Sequence, residues 1–208
     1  MTAARLTAAA IVAFAKVVTG VRALWHSAPQ AAPTVYFANH TSHGDFVLVW
    51  AALPADLRNR TRPVAAADYW AGSALRRFIG GRVFRALLID RLAQRDAPDP
   101  VQAMAARLQV GDSLILFPEG TRNTGDEALL PFKSGLYHLA RACPEARLVP
   151  VWIENLKRVL PKGSLLPVPL ACSVEYGGPL QLQEGESRAD FLARARSALL
   201  ALRRDGNG

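Results

Sequence analysis

Apolar positions along this chain fall into two kinds of run, and their alternation predicts the architecture. Largely apolar stretches at residues 34–38 (TVYFA), 83–89 (VFRALLI), 113–117 (SLILF), 148–153 (LVPVWI) and 170–176 (LACSVEY) read as strands, with a further short apolar run at 63–67. Apolar residues at consecutive rather than alternate positions suit strands covered on both faces. Between these runs the spacing changes to the helical period over 42–53, 70–78, 98–108, 134–141 and 188–203. The first of these helices carries Phe46, Val47, Val49 and Trp50 on its apolar face. Strands alternating with helices predict one α/β domain, a mixed and largely parallel sheet flanked by helices.

The N-terminal segment has its own pattern. With residues 5–25 placed at about 100° per residue, Leu6, Ile11, Phe14, Val17, Val18, Val21, Leu24 and Trp25 share one broad face, Arg5 and Lys16 lie opposite, and Arg22 is at the border. Such a helix either packs on the body of the protein or lies in a membrane surface, with tryptophan at one end. The same three cations interrupt it before it reaches the roughly 20 apolar residues of a spanning helix. Ala13-Phe14-Ala15 has the small-x-small form of a leader cleavage site, but the periodicity runs on past it. Pro29 and Pro33 separate this segment from the body of the chain. The expected organisation is an amphipathic interfacial helix over residues 1–28, the main domain over 29–204, and a frayed tail over 205–208.

Composition sharpens the partners more than the fold. Half the residues are hydrophobic, which excludes a disordered chain. The formal net charge is +8, and lysine supplies only four of the 25 basic residues, the rest being arginine. An arginine-rich surface suits nucleic acid, an anionic membrane or anionic substrates, although codon bias produces the same excess. No helix-turn-helix or aromatic-basic stacking pattern stands out, so nucleic acid is not expected. Cys143 and Cys172 have neither zinc nor disulfide-framework spacing and fit a reducing compartment.

In open α/β sheets, ligands gather beyond the carboxyl ends of the strands. Three charged clusters fall there: His40 and Asp45 after the first strand, Asp90 and Arg91 after RALLI, and Glu119 and Arg122 after SLILF. His40 directly follows a strand and precedes a helix, with Thr41 or Ser42 as its expected N-cap. An imidazole there suits a general base, and Asp45, five residues on in the first turn of a helix beginning near Ser42, can hold one ring nitrogen so that the other accepts a proton. His40-x-x-His43-x-Asp45 also has the look of a metal site, but no further His, Cys or Asp cluster supports it, and no metal is expected. In FPEGTRN, Pro118 and Gly120 mark irregular backbone, and Arg122 among exposed N–H groups makes an anion site, with Lys133 and Arg91 as further cations. Pairing of Glu119 with Arg122, and of Asp90 with Arg91, is the bland alternative.

Four blocks occur in order: NHTSHGD (39–45), LLIDR (87–91), FPEGTRN (117–123) and LVPVWIEN (148–155). Together they resemble the glycerolipid acyltransferase family, typified by 1-acylglycerol-3-phosphate acyltransferases, over roughly residues 34–155. The resemblance implies transfer of a fatty acyl group from a thioester, acyl-coenzyme A or acyl carrier protein, to the hydroxyl of a lysophospholipid, with no other cofactor. It implies His40 as general base with Asp45 its partner, and Arg91 on the acceptor phosphate. Glu119, Gly120, Thr121 and Arg122 form a second acceptor block, Arg122 being the phosphate ligand, with Lys133 nearby. Val149, Pro150 and Val151 match the last block, associated with the acyl donor or with folding. Where the family has a glycine ahead of Ile-Asp-Arg, this chain has Arg85, and His43 and Gly44 stand where the family varies. The implied partners are membrane lipids, the lysophospholipid and the thioester donor, and the implied place is peripheral, on the cytoplasmic face of the inner membrane. The alternatives are acylation of glycerol 3-phosphate or of a lyso-ornithine lipid, and, in another class, a lipid-binding protein without turnover.

Overall fold

A computed structural model describes residues 2–90, 99–154 and 172–203. Among the described residues, seven strands form one sheet in the order β1-β7-β6-β2-β5-β3-β4. They are β1 (Arg22–Trp25), β2 (Thr34–Ala38), β3 (Thr61–Ala66), β4 (Leu87–Ile89), β5 (Ser113–Leu116), β6 (Arg147–Glu154) and β7 (Ser173–Tyr176). All neighbouring pairs are parallel except β6 with β7. The carboxyl ends of β2, β3, β4, β5 and β6 therefore lie along one edge.

The continuous apolar runs have the expected cause. All five residues of β2 are buried. Tyr36 and Ala38 face one core, with Leu48, Val49 and Trp50 of α2 (Asp45–Ala52) and Ala15 of α1 (Ala3–Thr19). Val35 and Phe37 face the other. That second core is closed by α6 (Pro100–Gln109), α7 (Gly135–Ala142) and the last helix, α8 (Arg188–Leu200), through Leu108, Leu139 and Phe191. Alternate side chains of one strand thus serve two layers, and neither face needs a polar residue.

Three expected elements change. The helix at the N-terminus ends at Thr19, not Trp25, because Gly20 adopts the left-handed conformation (φ 53°) and its N–H caps Lys16. Residues 22–25 then join the sheet edge, and Trp25 stacks on Tyr176 at 3.8 Å. The expected single apolar face of α1 is also split. Ile11 and Val18 pack against the body, with Ala8 and Val12. Leu6, Phe14 and Val17 point away at 55%, 69% and 84% exposure. Among the described residues, no helix is long and apolar enough to cross a membrane.

The stretch expected as a helix over 70–78 is α4 (Ala67–Ala71) and α5 (Ala74–Phe78), interrupted where Ser73 caps α5. It continues as a π-helical turn, Ile79–Val83, whose Gly80 lies against Trp70; a Cβ there would come within 2.7 Å of the ring. The strand expected over 83–89 shrinks to Leu87–Ile89, since Val83 closes that turn. Arg85 holds φ 51°, so the position where the resembled family has glycine keeps a glycine-like backbone. A short helix, α3 (Ala55–Arg60), leads into β3. The expected frayed tail over 205–208, and the 170–171 end of the last expected strand, lie outside the described residues.

Candidate active site

The site begins where β2 stops. Asn39, buried, donates through its amide to the Ile153 carbonyl (3.0 Å) and accepts from the Ile153 N–H (2.8 Å), pinning the strand end to β6. His40 is the next residue. Its Nδ1 lies 2.9 Å from Asp45 Oδ2, and its ring stacks on Phe117 at 4.1 Å, 18° from parallel. A carboxylate on Nδ1 favours the tautomer with the proton there and leaves Nε2 to accept one.

Asp45 is fully buried, and Oδ2 does more than orient the ring. It also accepts from the N–H groups of Thr41 (2.6 Å) and Ser42 (2.7 Å). Helix α2 accordingly starts at Asp45, with Gly44 as N-cap, and not near Ser42; the loop is organised by the aspartate rather than capped by a hydroxyl. The Gly44 N–H is taken up by Ser42 Oγ at 3.2 Å. Backbone donors around this loop are therefore largely committed to holding it.

The second loop, after β5, grips His40 from the other side. Glu119 is buried, and its two oxygens accept separately from the N–H groups of His40 and Leu130, each at 2.8 Å. The Asn123 N–H donates to the His40 carbonyl at 2.6 Å, so both polar groups of the histidine's backbone are fixed by this loop. Asn123 in turn donates to the Glu127 carbonyl and accepts from the Gly125 N–H. Burial pushes the Glu119 carboxyl above the usual range, against the pull of its two N–H donors. Expected as part of an acceptor site, Glu119 has both carboxylate oxygens on backbone N–H groups and ties the His40 backbone to Leu130. Glu119→Ala leaves two N–H groups unpartnered at about 1–3 kcal/mol each, so the melting temperature should fall by roughly 5–20 °C, as calorimetry would measure.

Gly120 turns the chain at φ 68°, and the Lys133 side chain lies across it; a Cβ would meet Lys133 Cδ and Cε at 2.7 Å. A larger residue would be strained by that backbone and would have to push the Lys133 side chain aside. The Lys133 N–H is held by the Pro118 carbonyl at 2.8 Å.

A cavity of about 790 Å³ opens over these carboxyl ends. His40, His43, Gly120, Thr121, Arg122 and Lys133 line its polar part, with Asp68 and Asp90. Phe46, Val64, Trp70, Met104, Leu116 and Leu136 supply apolar wall. An ionic end joined to an apolar wall fits a ligand with a charged head and a hydrocarbon tail. Arg91 lies outside the described residues; Asp90 beside it lines the cavity. Val149, Pro150 and Val151 are buried in the middle of β6, paired with Tyr36, Phe37 and Ala38, and do not line this cavity. Among the described residues, no group of three or more His, Cys, Asp or Glu side chains is placed to hold a metal. His43 stacks on Tyr69 while His40 and Asp45 bond each other. Asn39, Asn123, Phe117 and Tyr69 were not singled out by sequence reasoning; the asparagines sit inside two of the four blocks, and for Asn39 a polar residue ending an apolar run was the available signal.

A family model described as Acyltransferase matches residues 24–154. The chain belongs to the acyltransferase family. Its curated relatives include 1-acyl-sn-glycerol-3-phosphate acyltransferase alpha of Homo sapiens, 37% identical over 118 residues, 55% of this chain and 38% of that protein. Another is the 1-acyl-sn-glycerol-3-phosphate acyltransferase of Limnanthes alba, 27% identical over 155 residues, 72% of this chain and 51% of that protein. The chain thus spans about half, or less, of the length of these acyltransferases. The crystal structure of the 1-acyl-sn-glycerophosphate acyltransferase of Thermotoga maritima matches with a TM-score of 0.68 at 19% identity, over 95% of this chain and 79% of that one, a likeness of fold.

Proposed function

We propose that this acyltransferase moves a fatty acyl group from a thioester donor, acyl-coenzyme A or acyl carrier protein, to the free hydroxyl of 1-acylglycerol 3-phosphate or a related lysophospholipid. One observation carries the reading: the His40–Asp45 couple opens into the same cavity as Arg122 and Lys133. The curated relatives named for this reaction support it.

In the proposed reaction His40 Nε2 takes the hydroxyl proton as the oxygen attacks the thioester carbonyl. The tetrahedral intermediate collapses, the C–S bond breaks, and the thiolate leaves with the proton from His40. Base catalysis of this kind contributes about 10²–10⁴-fold. Arg122 and Lys133, with Arg91, hold the phosphate and present the hydroxyl. The route uses no cofactor beyond the thioester. The protein would work as a peripheral protein at the cytoplasmic face of the inner membrane, a placement supported by the partitioning of the lysophospholipid and of acyl chains into bilayers. Leu6, Phe14 and Val17 of α1 offer apolar contact, with Arg5 and Lys16 on the same helix for anionic headgroups.

The test supplies purified protein with either donor and a panel of acceptors: 1-acylglycerol 3-phosphate, glycerol 3-phosphate and lyso-ornithine lipid. Free thiol is the readout. Release with the lysophospholipid is expected; binding without release of thiol would mean a lipid carrier, and a preference for another acceptor would reassign the substrate. Arg122→Ala should raise the KM for phosphate-bearing acceptors about 10–100-fold, the loss of one charge-assisted hydrogen bond. An unchanged KM removes Arg122 from the phosphate site.

A further inference from the structure

Arg122 and Lys133 leave His43 without a task, although its side chain lines the same cavity. The ring stacks on Tyr69 of α4, with centroids 5.0 Å apart and planes within 15°. Tyr69 is itself held: Trp70 meets it edge-on at 5.3 Å, and the Arg76 guanidinium of α5 covers it at 4.8 Å. Stacking fixes the plane of the imidazole and leaves its nitrogens to be reached at the ring edge. Among the described residues, no hydrogen bond engages either nitrogen.

We propose that His43 is a further ligand of the acceptor's phosphate, beside Arg122 and Lys133, with Tyr69 as the positioning residue that sets its ring. The inference rests on the acyl-transfer reading above and adds a specificity-determining residue to it. A neutral imidazole donates one N–H to a phosphate oxygen. Once the dianion is in place, the ring can take a proton from solvent and donate as a cation.

The surrounding charges support this sequence of events. Burial, then the positive Arg122 from the loop after β5 and His40 from the end of β2, hold the His43 ring below the usual histidine range. Asp45 at the start of α2 opposes that effect and Arg76 of α5 adds to it; Tyr69 of α4 stacks on the ring, and Asp68, Asp90 and Lys133 line the same cavity. An anion bound beside the ring offsets those cations and favours its protonated form. A ring whose pKa rises on binding takes up a proton, so affinity must increase as pH falls between its bound-state and free-state values.

The experiment compares wild type with His43→Asn, Tyr69→Phe and Tyr69→Leu. Two acceptors are presented in the same neutral detergent micelles: 1-acylglycerol 3-phosphate and phosphate-free 1-acylglycerol. For the phosphate-bearing acceptor, H43N should raise KM about tenfold, with most of the loss in KM rather than kcat. The KM for the phosphate-free acceptor should stay unchanged. Y69F should behave as wild type, and Y69L should fall between wild type and H43N. Calorimetric binding of 1-acylglycerol 3-phosphate between about pH 6 and 8 should strengthen more steeply with acid in wild type than in H43N; the lipid phosphate's own titration is common to both. Equal rises in KM for both acceptors, or coincident pH slopes, overturn the assignment. If wild type releases no thiol with either acceptor, the acyl-transfer reading fails. Calorimetry then decides His43 separately: weaker phosphate-lipid binding by H43N supports the ligand, and equal affinity overturns it.

Discussion

His40→Ala should reduce thiol release by about 10²–10⁴-fold, the contribution of a positioned general base. The expectation comes from what the ring does and does not support. Its Nδ1 is tied to Asp45 and its face rests on Phe117, while its backbone is held independently by Glu119 and Asn123. Removing the imidazole therefore leaves the loop clamped. Asp45 loses one donor of three but keeps the Thr41 and Ser42 N–H groups, so its buried charge remains solvated by the backbone. The fold should survive, and a thermal melt should show a modest shift. Acceptor KM should stay within a few-fold of wild type, because Arg122 and Lys133 are untouched and the missing interaction belongs to the transition state. A variant that melts normally, binds acceptor normally and still releases thiol at the wild-type rate would show that another group is the base.

How far such a site can be read from sequence depends on the range of the interactions. β2 was legible to the residue, because Thr34 and four consecutive apolar positions, set between Pro33 and Asn39, are too short a run for a helix and suit a strand covered on both faces. The pairing of His40 with Asp45 was legible too, since five residues and a helix start bring them together. The end of α1 was missed although Gly20 marked it: apolar positions in β1 happen to continue the helical period. The start of α2 was misplaced because Asp45 was credited with one partner and has three. Long-range contacts left no local trace. Asn39 meets Ile153 across 114 residues, and Glu119 meets the His40 backbone across 79. A polar residue in an acceptor-binding block reads as a ligand until the fold shows that both its oxygens are already used. Tyr69 under His43 is a product of the α4 packing, which no periodicity encodes.

Asp45→Asn should separate the two services of the carboxylate, alignment and charge. All three donors, His40 Nδ1, Thr41 N–H and Ser42 N–H, converge on the single oxygen Oδ2. Oδ1 is buried with no partner among the described residues. An asparagine can place its carbonyl oxygen where Oδ2 stands and keep all three hydrogen bonds, the imidazole tautomer and the loop. Its amide group then occupies the unpartnered position, costing about 1–3 kcal/mol of stability, which should lower the melting temperature by roughly 3–8 °C. What disappears is the negative charge facing the imidazolium that the proposed proton transfer would form. At a separation of about 4 Å and an effective dielectric near 20, that interaction is worth about 4 kcal/mol, so kcat should fall by ~10²–10³-fold. Asp45→Ala should lose more, since the Thr41 and Ser42 donors are orphaned and the ring is released as well. If the Asn variant keeps nearly wild-type kcat while the Ala variant does not, alignment is the whole service of the aspartate. If the two fall equally and the Asn variant is as destabilised as the Ala variant, the carbonyl has not taken the Oδ2 position, and the convergence of three donors on one oxygen is not what fixes His40.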